Sequence, residues 1–198
     1  MAVLMRKQGR RRAPQGWHPK GSNGPPTAGA ALFDVAVIRD IAEDDWPVLR
    51  EIRLRALADS PDAFTSDQNL EFGQGERQWR ERVRSEIWLL AFDGPAAAEP
   101  VGVISASRVP ASSPADPFLS SLWVDPGYRR QGVARSLIQA AVERVAASGA
   151  RAVLLWVLDG NDAAHLFYAA VGFVSTGDCQ EVNWPEKGLE RKLRKSLP

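Results

Sequence analysis

The stretch from Leu122 to Ala146 constrains the fold of this chain most, because it joins a strand, a tight loop and a helix in 25 residues. Its apolar start turns at Asp125-Pro126-Gly127 and continues as RRQGVA. Apolar residues then recur at helical spacing, at Val133, Leu137, Ile138, Ala141, Val142 and Val145. The first turn of a helix has unpaired N–H groups and a partial positive charge, and two arginines precede it here. We therefore predict a pyrophosphate-binding loop at residues 129–134.

Two familiar phosphate loops do not fit this stretch. A P-loop requires Lys followed by Ser or Thr after its second glycine, and neither follows Gly132. A dinucleotide-binding loop requires three glycines in the pattern GxGxxG, and this loop contains only Gly132. The loop therefore belongs to another class of anion site.

Two motifs carry a resemblance to a known family. The first is Arg129-x-x-Gly132-x-Ala134, which follows a strand that ends in Val124-x-Pro126. The second runs from Asn161 through Ala164 and Tyr168 to Gly172-Phe173. In this order and spacing they resemble the two signatures of the GCN5-related N-acetyltransferase (GNAT) superfamily, over roughly residues 35–197.

The resemblance implies an α/β (α+β) fold. Its mixed, mostly antiparallel sheet has about seven strands, is splayed between strands four and five, and is flanked by four helices. The hydrophobic pattern agrees with this organisation. It predicts strands at residues 35–39, 87–92, 101–106, 118–124 and 152–158 and in the C-terminal region, and helices at 43–59, 76–84, 133–147 and 163–170.

Composition and charge divide the chain into a tail and one predicted domain, residues 32–198. Residues 1–31 contain six basic residues and no acidic one, while the remainder has 19 basic and 24 acidic residues. We expect the tail to be disordered, and we do not expect it to bind nucleic acid, because a single basic cluster specifies little. One cysteine and two histidines argue against a metal site. No apolar run reaches the length of a membrane span, so we expect a cytoplasmic protein.

The resemblance also implies roles for individual residues. The loop would bind the pyrophosphate of acetyl-CoA, the edge of the preceding strand would pair with its pantetheine arm, and Asn161 would hydrogen-bond that arm. Tyr168 would be the general acid that protonates the departing thiolate. The predicted cofactor-binding residues are Leu122, Trp123, Val124, Arg129, Arg130, Gln131, Gly132, Val133, Ala134 and Asn161.

The reaction that follows is transfer of an acetyl group directly to a primary amine, with a small molecule as the leading acceptor. Acetylation of a protein N-terminus or lysine, and a non-catalytic acyl-CoA sensor, remain alternatives. The general base stays open among Ser120, Ser121, Glu71, Asp67 and a water molecule. Phe64 is a candidate for the acceptor side. A homodimer is possible, with the strand around Leu189–Leu193 pairing across it.

Overall fold

The computed structural model describes residues 36–61, 68–109, 115–183 and 187–198. The predicted basic tail of residues 1–31 lies outside these ranges. Phe64, the candidate for the acceptor side, and Asp67, a candidate general base, also lie outside them.

The first sheet contains four strands in chain order, each antiparallel to the next. These are β1 (Val37–Asp40), β2 (Glu86–Phe92), β3 (Pro100–Ser107) and β4 (Leu119–Val124). Nearly every residue of β2, β3 and β4 is buried, because helices cover both faces of this sheet. That burial explains why β2 reads as a continuous apolar run over residues 87–92 rather than as an alternating one.

The second sheet contains β5 (Ala152–Leu158), β6 (Val174–Asn183) and β7 (Lys187–Ser196), in the order β5-β7-β6. A parallel bridge between Phe118, the residue immediately before β4, and Leu154 of β5 connects the two sheets. The prediction of about seven strands that separate between the fourth and the fifth is therefore confirmed. The proposed pairing of Leu189–Leu193 across a dimer is wrong, because β7 is the central strand and both of its edges are occupied by β5 and β6.

The described residues form five α-helices rather than the predicted four. They are α1 (Trp46–Asp59), α2 (Gln68–Phe72), α3 (Glu76–Ser85), α4 (Val133–Ala147) and α5 (Asp162–Ala170). The additional helix, α2, has no apolar stripe: Leu70 and Phe72 are exposed and Glu71 is buried. A helix held by a buried ionic group leaves no periodic signal in the sequence. The acids at residues 43–45 form a 3-10 turn immediately before α1.

Two apolar clusters cover the two faces of the first sheet. On one face, α1 and α3 pack against alternate residues of β2, including Trp88 and Leu90. On the other face, α4 packs against Leu89 and Ala91, and this cluster continues into β5 and α5. The alternation along β2 therefore assigns α1 to one side of the sheet and α4 to the other. The cleft between β4 and β5 lies where the two sheets separate.

Candidate functional site

The loop between β4 and α4 is ordered by hydrogen bonds among its own residues. The Asp125 carboxylate accepts a hydrogen bond from the Gly127 N–H at 3.0 Å, and the Asp125 carbonyl accepts one from Tyr128 N–H at 2.8 Å. The side-chain amide of Gln131 donates to the Gly127 carbonyl at 2.9 Å. These bonds hold the backbone in the shape that presents residues 129–134 at the start of α4.

Helix α4 begins at a position suited to an anion. Gly132 is its N-cap residue with φ of 89°, a left-handed conformation that glycine adopts at little cost. None of the described side chains caps this end, so the first N–H groups of α4 have no side-chain partner. The space into which a Cβ of Gly132 would project is open to at least 4 Å. Arg130 also has a positive φ, of 67°, so two residues of this loop are in the left-handed region.

The Arg129 side chain, expected to lie beside the pyrophosphate, is bonded to other groups of the protein. Its Nε donates to the Val124 carbonyl at 2.9 Å, and its terminal nitrogen Nη2 forms an ion pair with Asp59 at the end of α1. Trp123 Nε1 donates to the same carboxylate oxygen of Asp59 at 3.0 Å. The guanidinium therefore ties the loop to β4 and α1, while the exposed Arg130 has no such contact with a described residue.

The end of β4 turns backbone groups toward the cleft. Asp125 N–H donates to the Val101 carbonyl at 2.9 Å, which makes residues 101 and 125 a hydrogen-bonded antiparallel pair. In the neighbouring pair, Gly102 with Val124, the N–H and C=O groups point away from the partner strand. Because β4 is the edge strand, those of Val124 face the cleft. The Val124 carbonyl accepts the hydrogen bond from Arg129, and the Val124 N–H is directed toward the same edge.

Asn161 lies at the start of α5. It is the N-cap residue of α5, and its Oδ1 accepts a hydrogen bond from Ala164 N–H at 3.1 Å. It lies just after β5, which ends at Leu158. The bridge between Phe118 and Leu154 is parallel, so the ends of β4 and β5 lie on the same side of the molecule. The structure therefore brings Asn161 and the loop to the same end of the cleft.

Tyr168 lies on α5 and is 1% exposed. Its ring makes edge-on contacts with Phe167 and Phe173, at centroid distances of 5.3 and 5.5 Å. Burial raises the pKa of its phenol well above the ordinary value, so the hydroxyl keeps its proton at neutral and moderately alkaline pH. Among the described residues, none accepts a hydrogen bond from this hydroxyl. A protonated phenol in an apolar setting is able to donate to an anion that forms beside it.

Comparison with known proteins identifies the family. The acetyltransferase (GNAT) family profile matches residues 37–173, which include the loop, β4, β5 and α5. The chain belongs to the GNAT family. The resemblance predicted from the two motifs is confirmed, together with the fold that it implied.

The relatives of this GNAT protein are distant. An uncharacterized N-acetyltransferase of Escherichia coli, YafP, is 29% identical over 109 residues, which are 54% of this chain and 65% of that protein's length. A GNAT-family acetyltransferase from Streptococcus pneumoniae superposes with a TM-score of 0.68 at 20% identity, covering 82% of this chain and 99% of that one. The ribosomal-protein-S18-alanine N-acetyltransferase of Escherichia coli has a TM-score of 0.60 at 19% identity, covering 82% and 94%. At these identities the solved structures establish the fold.

The two serines of β4 lie at an irregularity of this GNAT strand. The pairing with β3 shifts between Ser120 and Trp123, and Ser121 has φ of 60°. Leu119 and Leu122 both join the α4-side cluster although they are three residues apart, which marks a β-bulge. Ser120 shares a hydrogen bond of 2.7 Å with Ser105. The Ser121 hydroxyl is buried, and no described group accepts or donates a hydrogen bond to it.

Glu71, another candidate base, is held in an ion-pair cluster. Arg53 donates to both carboxylate oxygens, to Oε1 at 2.7 Å and to Oε2 at 3.3 Å, and Arg82 lies 2.8 Å from Oε2. Burial opposes ionisation of Glu71, but the two guanidinium groups lower the pKa of its carboxyl below the ordinary range. A carboxylate of low pKa with two cationic partners is a poor proton acceptor. The structure therefore gives Glu71 a structural position that joins α1, α2 and α3.

Asp59 is the residue that sequence reasoning missed. It lies 70 positions from Arg129 in the chain, so no local spacing connects the two. One signal was present: Asp59 is the last residue of α1, where the helix dipole disfavours a negative charge. An acid at that position needs partners from elsewhere in the fold.

The described ranges contain no cluster of three or more His, Cys, Asp or Glu side chains arranged to hold a metal ion. Within the same ranges, no helix is long and apolar enough to cross a membrane.

Proposed function

We propose that this protein is an acetyl-CoA-dependent N-acetyltransferase that transfers the acetyl group directly to the primary amine of a small molecule. The observation that carries the proposal is the start of α4, where a helix end without a side-chain cap and a left-handed glycine follow the edge strand β4. Family membership supports the same chemistry.

The residues present fit acetyl-CoA. The N–H groups at residues 129–134 suit the pyrophosphate, and the open space beside Gly132 admits a ligand close to the backbone. The cleft-facing edge of β4 over Leu122, Trp123 and Val124 suits the amide groups of the pantetheine arm. Asn161 stands at the same end of the cleft. Acetyl-CoA supplies an activated thioester, whose carbon–sulfur bond breaks as the amine nitrogen bonds to the acyl carbon.

Tyr168 is proposed as the general acid. Its raised pKa keeps the phenol protonated, and donation to the departing thiolate would return the thiol form of CoA. Proton transfer of this kind typically contributes on the order of 10²–10⁴-fold to the rate. Its packing against Phe167 and Phe173 fixes the ring, so the hydroxyl has a defined direction.

The acceptor amine must lose a proton, and we propose that Ser121 contributes to its removal through a bound water. The Ser121 hydroxyl is buried, lies at the bulge of β4 and has no partner among the described groups. Buried polar atoms normally have hydrogen-bond partners, so a ligand or water at this point satisfies that requirement. Ser120 is engaged with Ser105 and is the second member of such a relay. Neither serine is itself a strong base, so the proton that leaves the ammonium group is passed through the bound water to bulk solvent.

The test is release of thiol from acetyl-CoA across a library of amines, with the wild type and Tyr168→Phe assayed in parallel. We expect turnover with some small amines and a loss of kcat on the order of 100-fold or more in the variant, because the acid is removed while the ring remains. Phe167→Leu is the matched control, since it changes a neighbouring ring without removing a hydroxyl. Equal activity of wild type and Tyr168→Phe contradicts the proposed acid.

A peptide N-terminus is the second acceptor class. One structural neighbour is named as an acetyltransferase of a ribosomal-protein alanine, which motivates peptides with free N-termini in the same library. Turnover with peptides alone would move the assignment to protein acetylation. Binding of acetyl-CoA without turnover on any amine would indicate a sensor.

A further inference from the structure

We infer that Asp59 is a positioning residue for the acyl-CoA loop: it holds the Arg129 side chain across the end of β4, so that Arg129 shapes the loop rather than neutralising phosphate. The inference rests on the function proposed above. It concerns the contact between α1 and the start of α4, which the two family motifs do not include.

The geometry begins with one oxygen atom. Asp59 Oδ2 accepts hydrogen bonds from three donors, namely the Trp123 indole at 3.0 Å, the Ser60 hydroxyl at 2.7 Å and the Arg129 guanidinium. Burial alone would raise the pKa of this carboxyl, but the three donors lower it overall, so Asp59 is ionised at neutral pH. The carboxylate thus connects the end of α1 with both β4 and the loop.

Arg129 extends the connection to the cleft. Its Nε bonds the Val124 carbonyl, a group that faces the edge where β4 would meet the pantetheine arm. Its backbone lies in the loop, three residues before Gly132. A guanidinium held at both ends in this way has a fixed orientation, and the backbone that carries it is fixed as well. A second ion pair, Arg55 with Asp125 at 2.6 Å, joins α1 to the first residue of the same loop.

The alternative to positioning is a purely electrostatic role, and the two roles predict opposite signs. If Asp59 acted only through its charge, it would repel the pyrophosphate, and its removal would tighten binding. If Asp59 orders the loop through Arg129, its removal releases the arginine, disorders the N–H groups and weakens binding. The direction of the change therefore separates the two roles.

The experiment measures the dissociation constant of CoA by calorimetry for the wild type and for Asp59→Asn, which removes the charge at nearly constant size. We expect roughly tenfold weaker binding in the variant, as for the loss of one charge-assisted hydrogen bond. Unchanged or tighter binding overturns the inference. Failure of the wild type to bind CoA instead overturns the proposed function, so the two failures are distinguishable.

The matched control is Asp40→Asn. It breaks another Asp–Arg pair between two elements, Asp40 with Arg144 at 2.7 Å, on the α4 side away from the loop. We expect its affinity for CoA to equal that of the wild type. An equal weakening in Asp40→Asn would show a general effect of lost charge and would overturn the inference.

Two further variants separate positioning from folding. Asp59→Glu keeps the carboxylate and is expected to recover part of the affinity. Both changes in the double variant Asp59→Asn/Arg129→Gln break the same contact. Its affinity for CoA should therefore be no lower than that of the single variant with the lower affinity. Multiplicative losses would show independent roles. If Asp59→Asn does not fold, Trp123→Phe removes one donor to Asp59 and leaves a smaller aromatic ring, and it must then weaken CoA binding by a few-fold.

Discussion

Helix α1 is held by two ion-pair groups that differ in burial and in what they join. Near its middle, Arg53 meets Glu71, and both side chains are almost fully buried, at 1% and 2% exposure. At its end, Asp59 meets Arg129, with exposures of 27% and 34%. The first group joins α1 to α2 and α3, whereas the second joins it to β4 and the loop before α4.

Because the two groups differ in this way, we expect the first to contribute mainly to the stability of the fold and the second mainly to ligand binding. A buried ion pair has lost its water, so each partner depends on the other and removal of either leaves an uncompensated charge. A half-exposed pair can be replaced by water at small cost in stability. The half-exposed pair still matters to a ligand when it orients the backbone to which the ligand binds. We expect variants of the two groups to affect different measurements.

The largest effect is expected in Glu71→Ala. The substitution leaves Arg53 buried without its carboxylate, which typically costs about 3–5 kcal/mol of unfolding free energy. Urea denaturation followed by circular dichroism measures the loss. CoA affinity of the folded fraction should stay within twofold of the wild type. A loss of stability under about 1 kcal/mol would show that the cluster is not a structural anchor.

The comparison is sharpened by a double variant that removes both charges. Arg53→Met with Glu71→Leu eliminates the ion pair and retains apolar volume, so most of the stability lost in Glu71→Ala should return. Arg82 then keeps access to solvent, since its side chain is 24% exposed. A double variant as unstable as Glu71→Ala would mean that helix packing, rather than the unpaired charge, caused the loss.

The next effect is a dependence of stability on pH. Arg53 and Arg82 lower the pKa of Glu71 below its ordinary value near 4.3, so the folded state binds fewer protons than the unfolded state in this range. The stabilisation is therefore complete above that value and is lost as the pH falls through the lower pKa of the folded protein. Glu71→Gln should be less stable than the wild type at pH 7, and the two curves should approach each other below pH 4. Urea denaturation at several pH values tests this, and parallel curves would contradict it.

The smallest effect on stability is expected in Asp59→Asn, at about 1 kcal/mol or less, because its pair with Arg129 is partly exposed. This is the variant for which we expect the larger change in CoA affinity. Thermal unfolding of the ligand-free protein measures the first quantity. A stability loss as large as that of Glu71→Ala would remove the distinction between the two groups.

Several parts of the site were predictable because they depend on local sequence. Gly132 and the amphipathic residues after it specify a loop that enters a helix, and Asn161 is a residue type that caps a helix start. Tyr168 was predicted through its motif, and the structure adds the burial that keeps its proton. These features depend on residues a few positions apart in the chain, so a sequence motif can predict them.

Other parts depended on contacts between distant segments. Arg129 was predicted as a phosphate ligand from its position in the motif, and its pairing with Asp59 crosses 70 residues of sequence. Helix α2 was missed because it is held by Glu71 rather than by an apolar face. The central place of β7 was also missed, since strand order within a sheet leaves no trace in the composition of a strand.

The sequence by itself therefore determined the family, the order of strands and helices along the chain, and the glycine-containing loop that leads into α4, because each follows from short-range spacing. Tertiary structure alone decided which charged side chains are neutralised, which stay available and which strand is buried between two others. The physical reason is that the interactions of a charged side chain depend on the groups that surround it. An arginine that the fold pairs with a carboxylate is held in place by that pair, whereas an unpaired arginine is available to bind an anion.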